Sequence, residues 1–117
     1  VDEQVFMQRK LFKQIYLVRP SLEERCKMFA KIFEADRKVL EYAVKIMDYE
    51  GYEKDDEMYQ DVKVILSYFD ELENTTMNSK YATLEDRIYD IEQVISLSMQ
   101  MKSNLRDARI INIYSLM

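Results

Sequence analysis

The chain has 117 residues, 48% apolar and 33% charged, with a net charge of −5, a balance too apolar for disorder and too charged for a membrane-embedded protein. One Gly, one Pro and no His argue against β-rich folds, Gly-rich phosphate loops and imidazole chemistry, all of which draw on those residues. One domain with one core is expected.

No run approaches the ~18 apolar residues of a membrane span, and the N-terminus lacks the pattern of a secretory signal. Cys26 is the sole cysteine, so no intrachain disulfide can form, and a cytoplasmic or nuclear setting is the simpler expectation. In register with Leu22 and Phe29, Cys26 reads as a small buried hydrophobe. The chain opens on Val1 and closes on an apolar string, which reads as a piece of a longer protein.

A shorter N-terminal helix is expected over residues 2–18, where Val5, Met7, Leu11, Phe12, Ile15 and Val18 recur among Gln, Lys and Arg. Pro20 disfavours helical geometry at Arg19, and Ser21-Leu22-Glu23-Glu24 spells a capping box, so a second helix should start at Ser21. Its apolar residues fall on two seams at spacings of three and four. Leu22, Cys26, Phe29, Phe33, Leu40, Ala43 and Met47 form one; Met28, Ile32, Ala35, Val39, Tyr42, Ile46 and Tyr49 form the other. Gly51 provides a left-handed stop, which ends this helix near Glu50.

The acidic stretch 53–57 suits the start of a third helix, predicted over 54–77, with Met58, Val62, Ile65, Phe69 and Leu72 on its buried side. The polar cluster 74–79 reads as the loop that ends it. Thr83 and an acidic first turn then open a fourth helix, predicted over 83–116. Leu84, Ile88, Ile91 and Ile95 begin its buried stripe, which drifts towards Val94, Met101, Leu105 and Ala108. The expected fold is therefore an all-α, elongated, up-and-down bundle of three long helices and a shorter N-terminal one. In outline it resembles a spectrin-type repeat, although the tryptophan such repeats carry in their first helix has no counterpart in a chain without Trp. The resemblance implies a shape and carries no function.

Without His, neither a zinc cluster nor a bundle-type carboxylate metal site can be built in its usual form, and a Ser or Cys nucleophile lacks its base. No catalytic, cofactor-binding or metal-binding residue is assigned. Asp36 alone among the acidic residues falls on the main seam, between Phe33 and Leu40. It is expected to pair with a Lys or Arg of a neighbouring helix rather than to act as a catalytic carboxylate.

Charge is uneven along the chain. Residues 1–47 carry ten Lys/Arg against seven Asp/Glu, residues 48–92 four against fourteen, and residues 93–117 three against one. The acidic middle repels nucleic acid, and the cations Arg9, Lys10, Lys13 and Arg19 are too few to reverse that. A calcium loop lacks the alternating Asp/Asn positions it requires. Two partner-binding surfaces are candidates. One is the acidic turn with Tyr49, Tyr52, Asp55, Asp56 and Tyr59. The other is the C-terminal string Ile110, Ile111, Ile113, Tyr114, Leu116 and Met117, whose apolar face as a helix is too wide for one neighbour and which is either covered by the first helix within the domain or meets a second chain. The expected function is a non-catalytic interaction or scaffold module, of cytoskeletal type among others, that binds a protein partner or itself and has no small-molecule substrate. The alternative is a small regulatory or inhibitory helical protein of viral or bacterial effector type.

Overall fold

The computed structural model describes residues 9–11 and 13–112, and among them the chain is an all-α bundle without strands. Residues 9–11 and 13 are helical, and three further α-helices follow among the described residues, α1 (Leu22–Tyr49), α2 (Glu57–Leu72) and α3 (Leu84–Asp107). A π-helical segment, Gln14–Val18, precedes α1, and a second, Glu73–Met77, continues directly from α2. Val5, Met7 and Phe12 of the expected N-terminal helix lie outside the described residues. The molecule measures 45 × 34 × 17 Å, and the 28 residues of α1 at about 1.5 Å each account for its long dimension.

The helix starts follow the capping signals. Ser21 Oγ accepts from the Glu24 amide at 3.3 Å, Asp56 from that of Tyr59 at 3.1 Å, and Thr83 from that of Asp86 at 3.1 Å. Only at Thr83 is the reciprocal arm seen, with the Asp86 carboxylate accepting from the Thr83 amide at 3.1 Å. Each bond satisfies an amide that the helix itself leaves without a partner. The helix expected from 54 therefore opens at its cap Asp56, two residues later.

The helix ends are where the structure departs most from expectation. Past α1, Gly51 takes φ 82, the Tyr52 amide donates to the Met47 carbonyl at 2.9 Å, and the Gly51 amide donates to that of Asp48 at 3.2 Å. This pair of bonds is the Schellman stop, and it turns Tyr52 back towards Met47 and the core. The same motif closes α3 without a glycine. Arg109 adopts φ 61, the Ile110 amide donates to Leu105 at 2.9 Å and the Arg109 amide to Arg106 at 3.0 Å. The helix expected to run to 116 thus stops at Asp107. Ile110 and Ile111 fold back into the core beside Leu105.

Burial separates the two seams of α1. Phe29, Phe33, Leu40, Ala43 and Met47 are all buried, so the first seam is the spine of the core. The second is buried only at Ile32 and Val39 and emerges into solvent at Tyr42 and Tyr49. Near the N-terminus Ile15 is buried but Val18 is exposed, because the wider π turn rotates Val18 off the face that regular α spacing would give it. The expected loop 74–79 is also shorter, since the chain stays helical through Met77.

The two stops give opposite expectations on substitution. A Cβ added at Gly51 would meet no atom within 4 Å, so Gly51→Ala meets backbone strain alone and should cost about 1 kcal/mol. Arg109→Gly relieves the same strain and should add about 0.5–1 kcal/mol. Urea unfolding should show the two midpoints moving in opposite directions with the slope unchanged.

Candidate functional site

The acidic turn between α1 and α2 is held by its own residues. Tyr59 is buried, and its hydroxyl donates to Asp48 Oδ1 at 3.0 Å while accepting from Lys54 Nζ at 2.9 Å. Lys54 pairs with Asp48 at 2.8 Å and lies 4.8 Å from the Tyr59 ring centroid. Hydrogen bonds from Lys54 and Tyr59 hold the Asp48 carboxyl below its usual range, and the same Asp48 and Tyr59 contacts push the Lys54 ammonium up. Tyr52 packs against the core, and Asp56 is the N-cap of α2. Of the five residues read as a docking surface, only Tyr49 and Asp55 are exposed. Tyr52, Asp56 and Tyr59 serve the turn itself.

The C-terminal string divides differently. Ile110 and Ile111 are core residues, not part of an over-wide helical face, because the stop at Arg109 ends the helix before them. Ile113, Tyr114, Leu116 and Met117 lie outside the described residues.

Asp36 is fully buried, and Lys102 of α3 reaches it with an Nζ to Oδ1 distance of 2.6 Å. The expected cationic partner is therefore present on a neighbouring helix, although nothing in the periodicity singled out Lys102. Its long stem lets it sit on the buried stripe between Met101 and Leu105 while its ammonium meets the carboxylate. Ser98, one turn earlier, is also fully buried, and its hydroxyl has no hydrogen-bond partner among the described residues.

A second ionic contact shapes the far end of α2. Arg37 lies against the rings of Phe33 and Phe69, at 5.1 and 5.9 Å from their centroids, and those rings pack 4.7 Å apart. From that platform its guanidinium reaches Asp70 at 3.2 Å and also Glu73, the first residue of the π turn. Held there, the π turn directs Thr76 across to α3, where its hydroxyl donates to Asp90 Oδ2 at 2.8 Å.

That bond closes one end of a groove of about 290 Å³ between α2 and α3. Leu72 and Val94 form its apolar floor, Tyr68 and Leu97 its walls, and Glu71 and Asp90 its acidic rim. No residue of α1 lines it, so it faces away from the core spine. Tyr68 and Leu97 are 43% and 45% exposed, and Val64, one turn before Tyr68, is 44% exposed. A volume near the lower end for small-molecule pockets, with open apolar walls, suits side chains of a docking surface better than an enclosed substrate. The sequence did not mark this groove. Tyr68 and Leu97 each sit one position before a buried residue, Phe69 and Ser98, and periodicity assigns them to the solvent side.

Among the described residues, no group of His, Cys, Asp and Glu is arranged to hold a metal ion, and no helix is long and apolar enough to cross a membrane. Cys26 is half-buried, and its thiol donates to the Leu84 carbonyl at 3.5 Å. Burial pushes that thiol up, which lowers the fraction present as reactive thiolate.

Removing one member of the buried pair should be far worse than removing both. Asp36→Ala or Lys102→Ala leaves a buried charge and should cost about 3–5 kcal/mol, whereas Asp36→Leu combined with Lys102→Met should cost much less than the sum. Ser98→Ala removes a hydroxyl without a partner and should be neutral or stabilising in the same denaturant titration. Asp48 supplies a pH test. Because its folded carboxyl titrates lower than in the unfolded chain, its contribution is present above the ordinary carboxylate value of 3.8 and is lost as pH falls through the depressed value. Asp48→Asn should flatten the acid limb of stability against pH, and high salt should shrink the difference because the pair is exposed.

Comparisons with protein-family models, with curated proteins and with solved structures gave no match.

Proposed function

We propose that this chain is a non-catalytic helical interaction module that presents a surface of α2 and α3 to a protein partner, within a scaffold of intracellular, cytoskeletal type. The observation that carries this reading is that Tyr68 and Leu97, each more than two fifths exposed, line an open groove between α2 and α3. Apolar side chains gathered at a concave surface gain most when a second surface covers them. The buried carboxylate supports the same reading. Asp36 is engaged by Lys102 inside the core and does not line the groove.

The test is a photo-crosslinking scan of the intact chain in cell extract, with the reactive group placed in turn at Tyr68, Leu97, Tyr42, Tyr49 and Tyr89, all exposed. A saturable adduct with one protein, reproduced with that protein purified, is the expected result. Adducts confined to Tyr42 and Tyr49, which lie on α1, or absence of any saturable adduct would defeat the proposal.

A further inference from the structure

We infer that the groove between α2 and α3 is a docking site for a basic amphipathic helix of a partner protein, a deduction that rests on the interaction-module reading above. Two helical stripes flank the groove. On α2 and the π turn, Asp61, Val64, Tyr68, Glu71 and Thr75 follow one another at spacings of three and four, so they share a face. On α3, Asp86, Asp90, Gln93 and Leu97 do the same. Of these residues Tyr68, Glu71, Thr75, Asp90, Gln93 and Leu97 line the groove itself, so its lining carries two carboxylates and no Lys or Arg.

The dimensions match one helix. From Tyr68 to Thr75, both in the lining, is seven residues, or roughly 10 Å of rise, which is about two turns of a docked partner. Its apolar residues at i, i+4 and i+7 fit between Tyr68 and Leu97 onto the floor of Leu72 and Val94, the helix-in-groove mode of recognition. Lys or Arg on its flanks meet Glu71 on one wall and Asp90 on the other. The Thr76 bond to Asp90 fixes that carboxylate to the π turn, so one anchor is preorganised before the partner arrives.

The charge selects among occupants. A second copy of the chain docking groove to groove would bring Glu71 and Asp90 against the same two carboxylates, since a twofold contact places the same patch on both sides. Nucleic acid and acidic peptides are repelled for the same reason. A basic helix neutralises the rim while its apolar face covers the half-exposed residues.

The probe is a synthetic helical peptide of about four turns, with Leu at i, i+3, i+4 and i+7 and Lys elsewhere, titrated into the isotopically labelled intact chain and followed by backbone amide shifts. A control peptide carries Glu in place of Lys. The expected result is binding of the Lys peptide alone, weakened by salt, with shifts confined to 64–75 and 90–97. Leu97→Gln and Glu71→Lys both change exposed residues, so the fold should survive, as an unchanged unfolding midpoint verifies. Each should weaken binding by about tenfold or more. Equal binding of the Glu peptide, shifts centred on Tyr49 and Asp55, or unaltered affinity in both variants would overturn the assignment. So would concentration-dependent shifts of the same residues in the chain alone, which would make a second copy the occupant. If the peptide fails while photo-crosslinking still captures a protein, the basic-helix assignment falls and the interaction module stands. If both fail, both fall.

Discussion

Burying a carboxylate in the middle of a core constrains everything packed around it. Asp36 lies on the spine of α1, between Phe33 and Leu40, and its charge is balanced by Lys102 of α3 at 2.6 Å. Sliding α3 along α1 by one turn, about 5.4 Å, separates the two charges inside an apolar environment, at a cost of about 3–5 kcal/mol. Aliphatic residues alone would tolerate such a slip far better, because Leu, Ile and Met repack at small cost. The ion pair adds little to net stability and much to register. Once α3 is fixed, so is the identity of the stripe it turns towards α2.

The other side of that groove is set by Arg37, four residues after Phe33 on the same helix. Its guanidinium rests on Phe33 and Phe69 and takes Asp70 and Glu73 at the point where α2 widens into the π turn. A π turn carries more residues than an α turn, so side chains after Leu72 are rotated relative to the face established by Phe69. Thr76 becomes buried and bonds Asp90, while Thr75 lines the groove. A regular helix ending at Leu72 would leave that end of the groove without its polar cross-link.

Much of this fold is legible in the sequence, and the reasons differ by element. The first seam of α1 is read correctly from Phe29 to Met47 because spacings of three and four along a 28-residue helix leave one consistent face. Ser21, Thr83 and Gly51 act through local geometry and declare themselves by residue type. The stop at Arg109 does not, since a non-glycine residue in a left-handed conformation is held there by the burial of Ile110 and Ile111, a tertiary effect. Lys102 and Arg37 are hidden for a related reason. Each is a long cation whose role depends on a partner from another helix, Asp36 for one and Phe69, Asp70 and Glu73 for the other, and no single-helix pattern encodes that. For the groove, Tyr68 and Leu97 fall on the outer side of their helices, and only the assembled pair of helices brings them together.

The acidic rim and the apolar walls of the groove make opposite demands, and their combination has a physical logic. Tyr68 and Leu97 leave more than two fifths of each residue's surface in water, and apolar surface costs about 25 cal/mol per Å² when it stays exposed instead of buried. An uncharged patch of this kind would associate with any other apolar surface, its own copy first. Carboxylates on both flanking stripes oppose that route, because every self-contact concentrates like charge at low dielectric. The same carboxylates lose their repulsion when the approaching apolar face is bordered by Lys or Arg. A single arrangement of charge around an apolar floor therefore disfavours self-association and favours one class of partner, which is specificity obtained as a difference between two free energies.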